Sequence, residues 1–346
     1  MKTIPILAFL LLASSTVFSS CALPFIGGLD EEQQKKVDLF SENAESYLLD
    51  KRVLQAQSQI DQGLEIDPGN YYLSLYKGWA ELLRGPKEAE YYIAATETLE
   101  KVVAMRSQSN NDYRAYLFLG QAELGLSESY GKEAKFLQKK LNDTGQTAEA
   151  RSKLEEQVAK NKKKAIESLS KAEKTFRTLL DTGESDLQAK RFLFLVESRK
   201  VVGLTGREQQ EQTQSAIRFG NQFLAEAEKR RQTYLDQSWR ALNSEVESMS
   251  RKRRYYFEDI VKETNSLLAS LYEREGKIDE AIARLSQNIK LDPKNPADRY
   301  FRGRLLAQEG KKGEARQDLN LFISLTRLPF HSPEVTKANE ILHKMR

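Results

Sequence analysis

One stretch of this chain repeats itself at a fixed interval, and that repeat limits the fold more than any other feature. Residues 275–285 read EGKIDEAIARL, and 34 residues later 309–319 read EGKKGEARQDL. Six of the eleven positions are identical: Glu275/Glu309, Gly276/Gly310, Lys277/Lys311, Glu280/Glu314, Ala281/Ala315 and Leu285/Leu319. The register extends backwards through Ala269/Gly303 and Leu271/Leu305. Self-similarity at such a period marks a stack of small supersecondary units. Composition makes those units helical. Ala, Leu, Glu, Lys, Arg and Gln are abundant, there are 8 prolines in 346 residues, and strand-like alternation is absent.

The residues within the unit resemble the tetratricopeptide (TPR) pattern. Small Ala269 sits where a first helix would meet a second closely, with Tyr272 one turn on. Gly276 falls at the turn, where it can cap without a Cβ penalty. Ala281 is the small residue early in the second helix and Leu285 fills the groove, and LDPKN closes the unit at Pro293. A second copy lies nearer the N-terminus. Aligning Pro68 with Pro293 puts Ala44, Tyr47, Ala56 and Ile60 opposite Ala269, Tyr272, Ala281 and Leu285, and the ending EIDPGN matches KLDPKN. The expected fold is all-α, a TPR-type solenoid of helical hairpins.

Its interior is less regular. Pro68 and Pro293 lie 225 residues apart, so five steps of 34 leave 55 residues of insertion. After GPKEAEYY (85–92) a helix is predicted to about Met105, with Ala95, Leu99 and Val102 on one stripe. Another is predicted from Asn111 to Leu126, with Gly120 as its close-contact residue. No glycine or proline interrupts 146–182. Leu154, Val158, Ala165, Leu169, Ala172, Phe176 and Leu179 recur there at mostly three- and four-residue steps, as a one-sided helix requires. With the matching stripe Ala134, Leu137 and Leu141, this predicts an over-long hairpin over 128–181 that projects beyond the solenoid. Between Gly220 and Gly276 breakers are again absent, so helices of more than thirty residues are expected. Ser332 is a candidate N-cap with Pro333 in the first turn of a closing helix. The divisions that follow are TPR-like repeats over 31–106, irregular repeats with the extended hairpin over 107–235, TPR repeats over 236–331 and a capping helix over 332–346.

The first thirty residues follow a different pattern. Lys2 precedes the almost wholly apolar run Ile4–Ala13, and residues 18–21 read FSSC. This is the layout of a secretory signal, and the apolar run is shorter than the ~20 residues that span a bilayer. Cys21, the single cysteine, stands where small residues end the leader, which resembles the lipobox of bacterial lipoproteins, with Phe18 in place of the usual Leu. The resemblance implies a signal peptide over 1–20, cleavage before Cys21, and covalent lipid on its thiol and new amino group. Residues 21–30 would then be the lipidated cysteine and a tether whose two glycines and Pro24 disfavour regular structure. The alternative is a standard signal peptide cut near the same place, with Cys21 incidental. Either way an exported protein is expected. Under the lipoprotein reading it is membrane-anchored and faces the periplasm or cell surface, and Ala22 after the cysteine favours the outer membrane over the inner.

Chemistry-bearing motifs are scarce. His331 and His343 are the two histidines, and no HExxH, GxSxG or clustered Cys/His set occurs. The segment GLTGR (203–207) is too short and lacks the preceding strand of a phosphate loop. Carboxylates interleave with basic residues at helix-surface spacing and single out no acid–base pair. The chain is therefore read as a non-enzyme, with no metal and no cofactor beyond the lipid. A net charge of +4 is modest for a nucleic-acid binder, and no nucleic acid is expected. Three basic clusters (Lys160 with 162–164, 229–231 and 251–254) read as solvated faces, or as contacts for anionic head groups or an acidic partner.

TPR arrays generally bind partners along the concave face lined by first helices. Carried onto this chain, that face gives Tyr72, Tyr76 and Trp79, then Arg114, Phe118 and Gln121, then Ser270 and Arg274, then Tyr300 and Arg304. Aromatic and arginine side chains anchor partners well once water is removed. The Lys/Asn/Lys/Arg set of TPR domains that clamp acidic C-terminal peptides cannot be assembled here. The leading expectation is an envelope scaffold or adaptor for a protein or peptide. The alternatives are a small-ligand or transporter-associated lipoprotein whose Tyr72, Tyr76, Trp79 and Phe118 line a pocket, also as a homo-oligomer, and a helical envelope hydrolase.

Overall fold

The computed structural model describes residues 28–345 apart from 87, 106–111, 143–146, 184–185, 203 and 241–243. Cys21 and the leader, and with them the lipidation expectation, lie outside the described residues. Within these, thirteen helices and no strands are found. They are α1 (Glu31–Leu49), α2 (Val53–Ile66), α3 (Tyr71–Arg84), α4 (Ala89–Met105), α5 (Arg114–Leu141), α6 (Ala148–Asp181), α7 (Asp186–Lys200), α8 (Gly206–Trp239), α9 (Ser244–Arg274), α10 (Ile278–Leu291), α11 (Pro296–Gln308), α12 (Lys312–Leu325) and α13 (Pro333–Lys344). Consecutive helices pack as hairpins, α1/α2 through α11/α12, and α13 closes the end against α11 and α12.

Two short sequence signals build the regular repeats. The first is the turn inside each hairpin. Gly276 and Gly310 take φ +70° and +73°, and the following residue's N–H reaches back five positions, Lys277 to the Tyr272 carbonyl and Lys311 to that of Leu306 (both 2.9 Å). This is the Schellman closure, which needs a left-handed residue. The first hairpin makes the same closure, Arg52 to the Tyr47 carbonyl at 2.8 Å, with Lys51 at φ 58° in the glycine's place. The second signal is DPxN. Asp67 and Asp292 end α2 and α10, and their carboxylates accept the N–H of Gly69 (3.2 Å) and Lys294 (3.3 Å). Asn70 and Asn295 then cap the next helix, accepting from the N–H of Leu73 and Ala297. Ser332 caps α13 in the same way, with Pro333 in its first turn.

The small residues lie where the helices meet. Ala44, Ala56, Ala281 and Ala315 are fully buried, and Leu285 and Leu319 fill the space beside them. In the interior, a Cβ built on Gly120 would come within 2.5 Å of the Phe176 ring, so only glycine lets α5 and α6 approach there. Phe176 is itself fully buried and stacks on Phe192 at 4.9 Å.

Three expectations are corrected. The chain takes four steps, not five, between Pro68 and Pro293, because the added residues lengthen helices instead of adding a hairpin. The projecting hairpin is also not a separate helix pair starting at 128, although it leaves the solenoid there. α5 runs unbroken from Arg114 to Leu141, since no proline interrupts it and its buried stripe continues through Ala122, Leu126, Ala134 and Leu137. Likewise the expected boundary between 235 and 236 falls inside α8.

In the N-terminal half successive first helices touch (α1 with α3, α3 with α5, α5 with α7), whereas no second helix there makes a comparable contact with the next second helix. The closer spacing of first helices puts them on the inside of the curve, which is how a solenoid forms a concave face.

Candidate functional site

The inner face of the first three hairpins gathers the aromatic residues singled out from sequence. Tyr72, Tyr76 and Trp79 project from α3 at three- and four-residue spacing, and Arg114 and Phe118 project from the first turns of α5. Phe118 stacks on Trp79 with ring centroids 5.1 Å apart. Arg114 lies 5.9 Å from the Tyr72 ring centroid and 5.8 Å from that of Tyr76. The site therefore joins residues from two hairpins into one surface of rings around a guanidinium.

That guanidinium is already engaged. Arg114 donates to both carboxylate oxygens of Asp112 (2.7–3.0 Å) and, from Nη1, to Glu45 on α1 at 2.9 Å. The Asp112 carboxylate, above all, pushes the Arg114 pKa still higher than usual. With Asp112 and Glu45 already holding this guanidinium, it is no ready clamp for an acidic peptide. Tyr72 is 44% exposed and Trp79, Phe118 and Gln121 are half-buried, so these remain open to a partner. Tyr76 does not. It is 3% exposed and packs with Ala44, Leu48, Ala56, Ile60 and Ala80 in the core of the first hairpin. Burial, followed by the Glu45 carboxylate, pushes its hydroxyl pKa up to about 12.

The C-terminal candidates divide in the same way. Tyr300 is 9% exposed and packs on Phe322 at 5.0 Å, a core ring and not a groove residue. Arg304 makes two 2.7 Å hydrogen bonds to the two oxygens of Glu273, and that pair raises its pKa. Ser270 and Arg274 are exposed. The expectation that Tyr76 and Tyr300 serve as partner anchors is thus corrected, because their rings fill the small-residue gaps between helices. Tyr76, buried in the core of the first hairpin, does not line an open pocket with Tyr72, Trp79 and Phe118. A cavity of about 280 Å³ lies instead among α7, α8 and α9, beside Leu187, Arg191, Phe223, Arg230, Tyr256 and Ile260.

Sequence reasoning missed Glu45 and Asp112, which determine what Arg114 can do. Asp112 could have been found as the residue two before an arginine at a helix start. Glu45 lies 69 residues from Arg114 and carries no local signal. A second missed group is Asp318, 1% exposed, which accepts from Arg299 Nη1 (3.0 Å), Arg302 Nε (2.6 Å) and Arg302 Nη2 (2.9 Å). It ties α11 to α12 and is structural.

The sequence matches no family model and no curated protein. Solved structures do match. A chain of the APC/C hetero-tetramer Cut9–Hcn1 crystal structure superposes with a TM-score of 0.52 at 12% identity, over 90% of this chain and 43% of that one. The fold is a TPR-type solenoid. This chain spans less than half the length of that matching chain. A thermophilic TPR protein of Thermus thermophilus (TM-score 0.40, 16% identity, 79% of this chain and 98% of that one) and a tetratricopeptide repeat protein from Parabacteroides merdae (0.35, 13%, 90% and 99%) are also similar.

Proposed function

We propose that this TPR-type solenoid is a lipid-anchored cell-envelope scaffold or adaptor that binds a protein partner through its inner face. The observation that carries the reading is the surface of Tyr72, Trp79 and Phe118 beside the neutralised Arg114. Rings left partly open on the inside of a curve provide large apolar area at low cost in side-chain entropy. Because Glu45 and Asp112 already hold Arg114, the partner segment that suits the surface is apolar and not acidic. The leader and Cys21 support the anchor and an exported location, with the outer membrane favoured by Ala22. Among the described residues no helix is long and apolar enough to cross a membrane. The anchor in this reading is the lipid on Cys21, whose attachment strengthens by ~0.8 kcal/mol per buried methylene.

Site-specific photo-crosslinking in cells from Tyr72 and Trp79 tests the scaffold. A discrete protein adduct supports it, and the absence of any adduct at two solvent-accessible positions refutes it. An adduct with a second copy of the chain would make the partner itself a homo-oligomer. Cys21→Ser tests the anchor: the protein should leave the membrane fraction or keep its leader uncut, and unchanged fractionation with normal cleavage would count against acylation. The cavity among α7, α8 and α9 supports a second reading, small-ligand binding, which predicts ligand-dependent thermal stabilisation.

A further inference from the structure

The α5–α6 hairpin outgrows its neighbours. Its base is marked by two contacts. The Tyr92 ring, near the start of α4, lies against Gly125, and Arg199, near the end of α7, bonds the Leu124 carbonyl at 3.1 Å and Glu128 at 2.9 Å. Beyond Glu128, α5 continues for thirteen residues to Leu141, and α6 returns alongside it. At the helical rise this arm stands roughly 20 Å clear of the solenoid. Ala134, Leu137 and Val158 form its narrow seam, and nearly every other side chain faces water.

The arm is strongly basic. From Lys132 to Lys164 the sequence holds ten Lys or Arg and five Asp or Glu, an excess of five positive charges in a chain whose formal total is +4. An equal excess lies between Lys229 and Arg254 on the α8–α9 hairpin, so the arm is one of two strongly basic ends and the remainder of the chain is correspondingly acidic. Phe136 is 53% exposed on α5, with Lys132, Lys135, Lys139 and Lys140 within one turn on either side. The Lys140 ammonium lies 4.4 Å from the Phe136 ring centroid. Lys135, Lys139 and Lys160 make no ion pair among the described residues. Nine of the ten cations are lysines.

From this we infer that the α5–α6 arm docks on anionic phospholipid headgroups, with Phe136 as its apolar contact. A ridge has no cleft for a folded partner but can lie against a plane. Lysine is a hydrated point charge on a flexible apolar stem that can snorkel to headgroups, whereas the planar arginine fork suits bidentate protein contacts. An exposed aromatic ring among lysines also matches the polarity gradient of a membrane interface. The inference rests on the proposed anchor only in that the anchor brings a bilayer within reach.

The test is an environment-sensitive dye on Phe136→Cys in the full chain carrying Cys21→Ser, with Leu54→Cys, 76% exposed on α2, as the control position. Vesicles are either neutral phosphatidylcholine or contain about one-third phosphatidylglycerol. The expected result is a blue shift at position 136, not at 54, with anionic vesicles alone. Raising salt to several times physiological should weaken the apparent affinity by roughly tenfold or more. Replacing Lys132, Lys135, Lys139 and Lys140 with glutamine should do the same without changing the melting profile. No shift, an equal shift with neutral vesicles, or an equal shift at both positions overturns the inference. Because the dye is read without the lipid, failure of docking and failure of the anchor are seen separately.

Discussion

Glu123 should make this protein lose stability as pH rises through neutrality. It lies on α5 with 4% of its surface exposed, and its one neutral donor is the Thr175 hydroxyl, 2.8 Å from Oε2. Burial dominates and pushes its carboxyl up to about 7, with Thr175 and Lys171 opposing and Glu100 adding to the shift. The unfolded chain releases this proton near pH 4.5. Between pH 4.5 and 7 the folded state therefore holds more protons than the unfolded state, and stability falls with pH across that window. At 1.36 kcal/mol per unit the penalty at pH 8.5 is roughly 3 kcal/mol. Glu123→Gln keeps the shape and the Thr175 acceptor but cannot ionise. Urea unfolding should show the variant within about 1 kcal/mol of the parent at pH 4.5 and about 2 kcal/mol more stable at pH 8.5. Other raised carboxyls, such as Glu81 and Asp298, are common to both proteins and cancel in the difference. A gap independent of pH, or a variant less stable at pH 8.5, would refute the reasoning.

Two further substitutions test the packing. Lys51→Gly should stabilise the first hairpin by about 1 kcal/mol, because φ 58° costs a lysine what Gly276 and Gly310 avoid; a loss in thermal unfolding would show that the lysine side chain contributes more than its backbone strain. Asp318→Ala should destabilise the last hairpin by roughly 2–4 kcal/mol, since it strands Arg299 and Arg302, which are 13% and 22% exposed; Asp279→Ala, which breaks an exposed pair with Lys311, should leave the denaturation midpoint unchanged. Equal effects of the two aspartate variants would show that burial does not decide the matter.

What could be read from the sequence was local. EGK and DPxN act within a few residues, through φ at one glycine and through side chains that bond their own backbone neighbours, so the hairpin turns and caps were fixed before any packing. The small residues at Ala44, Ala56, Ala269 and Ala281 followed from spacing, because close helix approach depends on Cβ size alone. Helix ends without such a signal were not legible. Only the lack of a proline and the apolar stripe through Leu126 and Ala134 mark α5 as continuous, and a count in steps of 34 turns the added length into an extra step.

The candidate site shows the same division more sharply. Sequence placed Tyr72, Tyr76 and Trp79 on one face of α3, because helical period alone does that. Only the tertiary structure decided that Tyr76 is core while Tyr72 stays open, since burial depends on how far the neighbouring helix reaches. It also decided that Arg114 is neutralised, by a Glu45 far along the chain, and that lysines on two separate helices form one projecting arm. Turns and faces are properties of a few adjacent residues and are written into the sequence. Exposure, charge balance and reach belong to pairs of distant segments, and exist only once the solenoid has stacked.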